Sequence, residues 1–102
     1  MYAMSGKLIA QDGKRNALVF ILKQAATLVG ELPECQAYIV CEDLANETNV
    51  WIFEIWADKQ SHDSSLNDTR VRSLITQAKP LLAAAPDGTE LSISGGHGIP
   101  IH

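Results

Sequence analysis

Hydrophobic and polar positions change period several times along this chain, and each change marks an element. From Tyr2 to Ala10 the alternation is two-residue. Tyr2, Met4, Gly6 and Leu8 share one side, and Ala3, Ser5, Lys7 and Ile9 the other, as in a strand. Gln11-Asp12-Gly13-Lys14 is a polar turn with a glycine free to adopt positive φ. Between Arg15 and Val29 the period lengthens. Leu18, Ile21, Leu22, Ala25, Leu28 and Val29 recur at three- and four-residue steps, the apolar stripe of a helix. Gly30 suits the left-handed residue that closes a helix, and Pro33 blocks continuation. Alternation returns over Cys35–Leu44, where Cys35, Ala37, Ile39 and Cys41 oppose Gln36, Tyr38 and Val40. The polar stretch from Glu42 to Asn49, with Asn46 inside it, predicts a hairpin loop.

The third strand, Val50–Ala57, is patterned differently, because both faces are largely apolar. Trp51, Phe53 and Ile55 lie on one, and Val50, Ile52 and Trp56 on the other. An antiparallel sheet in a small monomer keeps one wet face, so two dry faces call for two covers. The helices of this chain supply one, and a second copy of the same chain is the simplest other, which predicts a homodimer. Asp58 is a good N-cap for a short helix through Leu66. That helix has Leu66 as its one large aliphatic residue, so Leu66 is expected to mark its inward side, with His62 four residues earlier on the same side. Asp68 caps a further helix from Thr69 to about Leu82, with Val71, Leu74, Ile75, Ala78 and Leu82 inward and Pro80 kinking or ending it. After a loop, Glu90–Ser94 reads as a weak fourth strand, followed by Gly95-Gly96-His97-Gly98. The order β-α-β-β-α-α-β predicts an α+β fold: a ferredoxin-like split β-α-β sandwich, with a four-stranded antiparallel sheet and helices on one face.

Composition narrows the picture. A chain of 102 residues builds one thin core, and one domain over residues 1–102 is expected. A net charge of −4 leaves no basic field for nucleic acid or anionic membrane. No apolar run approaches the ~20 residues of a membrane span, and the N-terminal stretch has no apolar region of the kind that directs export. Cys35 and Cys41 on one strand would sit roughly 20 Å apart at ~3.3 Å per residue, beyond the ~7 Å a disulfide spans. Both are expected as free thiols, in keeping with a cytoplasmic protein.

Several segments together resemble the antibiotic biosynthesis monooxygenase (ABM) family. They are Gly6-Lys7, Gly13-Lys14-Arg15, Pro33-x-Cys35, WIFEIWADKQSHDSSL from Trp51 to Leu66, and VRSLITQAKPL from Val71 to Leu81. The closing Gly95-Gly96-His97-Gly98 is similar to the tail of a quinol monooxygenase-like subgroup. The resemblance implies a dimeric α+β barrel and a pocket between sheet and helices. It also implies oxidation of quinol-type or polycyclic aromatics by O₂ without flavin, metal or haem. Such chemistry needs a substrate whose anion is electron-rich enough to reduce O₂. The protein supplies a dry aromatic pocket, a base tuned near neutral pH and a donor for the developing oxyanion.

His62 is the expected catalytic group, as a base or as a hydrogen-bonding partner of the substrate, because its ordinary titration near ~6.5 suits either role. The resemblance carries the role to His62 through the His62-Asp63-x-Ser65-Leu66 pattern. Relatives with a histidine one turn later have it at the position of Ser65, which therefore joins the substrate-binding set. Trp56 is expected to line the pocket. Glu54, an acid in an apolar strand, must be paired, protonated or near water; Arg72 or Lys7 is the expected partner, which makes Glu54 a support for substrate binding. His97, among glycines, could meet a ligand beside exposed backbone N–H groups. Trp51 is expected at the dimer side, and His102 is assigned no role. His62, His97 and Glu54 have no metal-ligand spacing, so no metal is expected. Haem degradation is disfavoured because Thr69–Leu82 offers no axial ligand. Two other readings use the same scaffold. One is a non-catalytic dimeric module for small-molecule binding or stress response, and the other a cofactor-free isomerase or decarboxylase.

Overall fold

The computed structural model describes residues 1–98; His102 and the rest of the Ile-Pro-Ile-His ending lie outside them. The elements are β1 (Tyr2–Ile9), α1 (Arg15–Val29), β2 (Cys35–Glu42), β3 (Asn49–Trp56), α2 (Lys59–Ser65), α3 (Thr69–Ala78), a 3-10 turn (Lys79–Leu81) and β4 (Asp87–Ser92). The sheet order is β2-β3-β1-β4 with every neighbouring pair antiparallel. This is the split β-α-β arrangement, in which α1 carries the chain from β1 to β2 and leaves room for β3 between them. The molecule is 19 Å across its shortest axis, room for the sheet and one layer of helices.

The stripes read from the sequence build that layer. Leu18, Leu22, Ala25 and Val29 of α1 are buried, as are Val71, Leu74 and Ala78 of α3. Leu18 and Leu22 pack with Leu8, Val50 and Ile52 of the sheet. A second group joins Tyr2, Val29, Trp56 and Val71. Asp58 caps α2 by accepting a hydrogen bond from the Ser61 amide at 2.8 Å, and Asp68 caps α3 through the Arg70 amide at 2.8 Å. Gly13 takes positive φ, 76°, in the first turn.

Four local expectations are corrected and a fifth is refined. Gly30 is right-handed (φ −64°), because α1 runs out through tighter turns in which the Glu31 and Leu32 amides bond to Leu28 and Val29 carbonyls. A register shift at Gln36 turns Cys35 to the helix side, where it packs beside Trp56 and Val29, while Ala37, Ile39 and Cys41 keep to the other face; a bulge inserts one residue and so inverts the alternation. Leu66 is 45% exposed, and the inward residues of α2 are His62 and Ser65. Ile75 faces inward, as expected, but toward open space between sheet and helices and not packed core, so it is 41% exposed. Finally, β4 begins at Asp87 and ends at Ser92, three and two residues earlier than the periodicity suggests. All six of its residues are exposed, so its register is set by pairing with β1, Lys7 opposite Asp87 through Tyr2 opposite Ser92.

The face of the sheet away from the helices has no cover among the described residues. Phe53, Ile39 and Leu91 are 43%, 50% and 48% exposed there, with Ile39 and Phe53 paired across the ladder. Trp51 lies on this face, its indole N–H donating to Asp43 at 3.0 Å and the Lys7 ammonium 5.7 Å from its ring. No helix among the described residues is long and apolar enough to cross a membrane.

Candidate functional site

Alternation along β3 puts Ile52, Glu54 and Trp56 on the helix side, and the ladder places Tyr38 directly opposite Glu54. Above them, between sheet and helices, is a cavity of about 300 Å³. Its walls are aliphatic, supplied chiefly by α1 and α3, and its polar wall groups include Glu54, Tyr38, Ser65 and Lys79. Ser65 donates to the His62 carbonyl at 2.6 Å, which ties the last turn of α2 and holds the Ser65 side chain at the wall.

Glu54 is anchored from behind. The Trp56 indole N–H donates to its Oε1 at 3.0 Å, and His62 Nε2 stands 4.0 Å from the same oxygen. Both partners converge on Oε1, and Oε2 has no protein partner among the described residues. Burial lifts the Glu54 carboxyl above the usual carboxylate range, while the Trp56 bond and His62 pull it down. A buried carboxyl with one polar partner retains a stronger claim on a proton than one in water. Tyr38 is raised in the same sense, by burial first and then by the Glu54 charge.

The imidazole of His62 is 7% exposed. Its ring lies 5.1 Å from the Tyr2 ring and meets Trp56 edge-on at 5.8 Å. Its Nδ1 is 2.9 Å from Asp63 Oδ1. Hydrogen bonding from His62, and then from Lys59, holds the Asp63 carboxyl below the ordinary range. Lys59 also bonds to Glu90 at 2.6 Å, and Glu90 accepts the Tyr2 hydroxyl at 3.1 Å. The residues from β1, α2 and β4 therefore form one polar chain around the imidazole.

Of the residues singled out from sequence, Glu54 and Ser65 are at the cavity wall. Trp56, wholly buried, and His62 lie behind Glu54 and do not line the cavity. His97 is exposed on the segment after β4. The expected partners of Glu54 are corrected: Arg72 is on the outer side of α3 and Lys7 is on the opposite face of the sheet, so neither reaches it, and Trp56 and His62 take their place. Tyr38 was not singled out from sequence; the signal for it was the polar tip of an aromatic on the same strand face as Val40. No group of three or more His, Cys, Asp or Glu side chains suited to a metal ion occurs among the described residues.

The profile of the antibiotic biosynthesis monooxygenases matches residues 1–77. The chain belongs to the ABM family. A solved structure from Chloroflexus aurantiacus J-10-fl, provisionally named an antibiotic biosynthesis monooxygenase, is similar over 96% of this chain and 97% of its own, with 37% identity and a TM-score of 0.86. A Deinococcus radiodurans protein of the same provisional name shares the fold at 23% identity, with 97% and 98% of the two chains covered and a TM-score of 0.85. The ABM fold is shared, at 8% identity and a TM-score of 0.83, by a variant of SnoaB, a cofactor-independent oxygenase from Streptomyces nogalater, over 95% of this chain and 96% of that one. No curated protein sequence matches the chain. Membership of the ABM family makes a monooxygenase the first functional class to consider for the cavity over Glu54.

Proposed function

We propose that this chain is a cofactor-independent monooxygenase of small quinol-like aromatics, acting as a homodimer in the cytoplasm and folded as one domain over residues 1–102. The observation that carries the reading is Glu54, a raised carboxyl set in the wall of an apolar cavity and held by one oxygen. A volume of about 300 Å³ is at the small end of ligand pockets, roughly 300–1,000 Å³, which favours one- or two-ring quinols over larger polycyclics. Free thiols at Cys35 and Cys41 support a reducing compartment, and the uncovered apolar face of the sheet supports a partner copy.

The chemistry uses the substrate as its own reductant. Glu54 takes a proton from a substrate hydroxyl, and its raised affinity for protons brings it nearer the pKa suited to a base at neutral pH. The anion then donates electrons to O₂. One oxygen atom enters the ring and the other leaves as water, so a quinol and O₂ give a hydroxyquinone and H₂O. Trp56 holds the carboxyl through its indole N–H and His62 stands behind it, with Tyr38 and Ser65 as candidate partners of the substrate's other oxygen; His97, also proposed from sequence for substrate binding, is exposed on the segment beyond β4.

Oxygen uptake with a panel of benzoquinols, naphthoquinols and anthrones tests the proposal. Uptake above the uncatalysed rate is expected with the smaller quinols, and Glu54→Gln should lower kcat/KM roughly a hundredfold, the usual scale for a lost general base. Binding without uptake across the panel would replace the enzyme with a small-molecule-binding module.

A further inference from the structure

We propose that Asp63 and His62 form a proton path between the buried Glu54 carboxyl and solvent, in which Asp63 is the outer end and fixes the direction of transfer. The inference rests on the reading of Glu54 as the group that takes the substrate's proton. That proton leaves Glu54 in its acid form, and the carboxylate must be regenerated inside an apolar wall before the next turnover.

The geometry supplies one route. Asp63 Oδ1 is 2.9 Å from His62 Nδ1, and His62 Nε2 is 4.0 Å from Glu54 Oε1. Asp63 is half-exposed and also bonds to Lys59 at 3.2 Å, so it is an ionised carboxylate and can only accept. The proton of a neutral His62 therefore lies on Nδ1, and the Nε2 lone pair faces Glu54, because the partner of one ring nitrogen sets the state of the other. The separation of 4.0 Å needs a small side-chain movement to become a hydrogen bond, and catalytic contacts are commonly long before substrate binds. The other charged or titratable groups around the ring are Tyr2, Glu90 and Lys59, and none of them bonds to Nε2. Tyr2 packs on one side with its hydroxyl turned to Glu90. Lys59 joins Glu90 to Asp63, and Glu54 stands at the inner end.

The proton balance closes. The proton from the first substrate hydroxyl passes from Glu54 to His62 Nε2, the Nδ1 proton passes to Asp63 and water, and the ring returns to its Nδ1–H form by exchange with water. The second hydroxyl supplies one proton to the water product and solvent supplies the other, while the proton of the ring C–H replaced by the entering oxygen ends, by exchange, on the new hydroxyl of the hydroxyquinone.

The test uses no substrate. Nitrogen-15 spectra of the histidines and carbon-13 spectra of the glutamate carboxyls give the His62 tautomer and the rate at which the Glu54 proton exchanges, with Glu54→Gln assigning the carboxyl signal. Neutral His62 is expected as the Nδ1–H form in the parent, with that preference lost in Asp63→Ala and kept in Asp63→Glu. Proton exchange at Glu54 should slow roughly a hundredfold, the scale of a lost proton donor–acceptor, in Asp63→Ala and His62→Ala, and added imidazole should restore it in the latter. Unchanged exchange in both variants, each shown folded by circular dichroism, would overturn the proton path. Failure of the quinol panel would leave these spectra unaffected, so the two proposals fall separately.

Discussion

A carboxyl between Ile52 and Trp56 on the buried face of a strand persists only if something compensates its desolvation. In this chain the compensation is partial: one indole N–H, from Trp56, at 3.0 Å. Glu54 therefore holds its proton to higher pH when folded than when unfolded. The sign of the effect on stability follows from linkage. The folded state binds more protons than the unfolded state in the window above the ordinary glutamate value of about 4.3, so the contribution is fully present below that value and is lost as pH rises through the raised folded value. Glu54→Gln keeps an oxygen for the Trp56 N–H and removes the titration. Its denaturation free energy should fall less between pH 4 and pH 8 than the parent's, and at neutral pH it should be the more stable protein. A steeper fall in the variant would mean that the His62 contact outweighs burial. Trp56→Phe works the other way: it keeps most of the packing, deletes the donor and should raise the Glu54 carboxyl further, measurable by the same carbon-13 titration.

Among the elements, α1 carries the most of the helix layer, and its stripe is also the clearest signal in the sequence. Leu18 is fully buried against Val50 and Ile52. Leu18→Ala should cost about 2–5 kcal/mol, the range for aliphatic truncations in cores, seen as a lower urea midpoint with unchanged slope. Elements that bury one face were legible because burial imposes a period: α1, α3 and the first three strands stand within a few residues of where alternation puts them. Elements without a buried face were not. The six residues of β4 are all exposed, so nothing in their own pattern marks their start. The bulge at Gln36 was invisible for a related reason, since a one-residue insertion leaves composition unchanged and shows only in pairing. On α2 the expected inward face is the right one, but Leu66 is the wrong residue to mark it. Leu66 ends the helix on the cavity rim, while His62 and Ser65 are held inward by Tyr2, Trp56 and the His62 carbonyl. The site was half legible: an unpaired acid in an apolar strand could be flagged from sequence, but its partners come from distances that only the fold supplies.

At the scale of the whole molecule the described residues cover the sheet on one side only, and Ile39, Phe53 and Leu91 form an apolar surface on the other. The proposed homodimer, closed over this face, would cover the second dry side of β3. Sedimentation velocity should give a dimer at micromolar concentration, and Phe53→Lys should shift it to a folded monomer with an unchanged circular dichroism spectrum; a folded parent monomer would remove the argument. The register shift at Gln36 adds an independent reporter. It turns Cys35 to the helix side beside Trp56, where it is half-buried and its thiol is pushed up, and leaves Cys41 opposite Trp51 on the bare face. One thiol is thus a clock for association and the other its reference. Alkylation of Cys35, on the helix side, should run at one rate whatever the protein concentration, whereas alkylation of Cys41 should slow as concentration rises if subunits associate over the bare face.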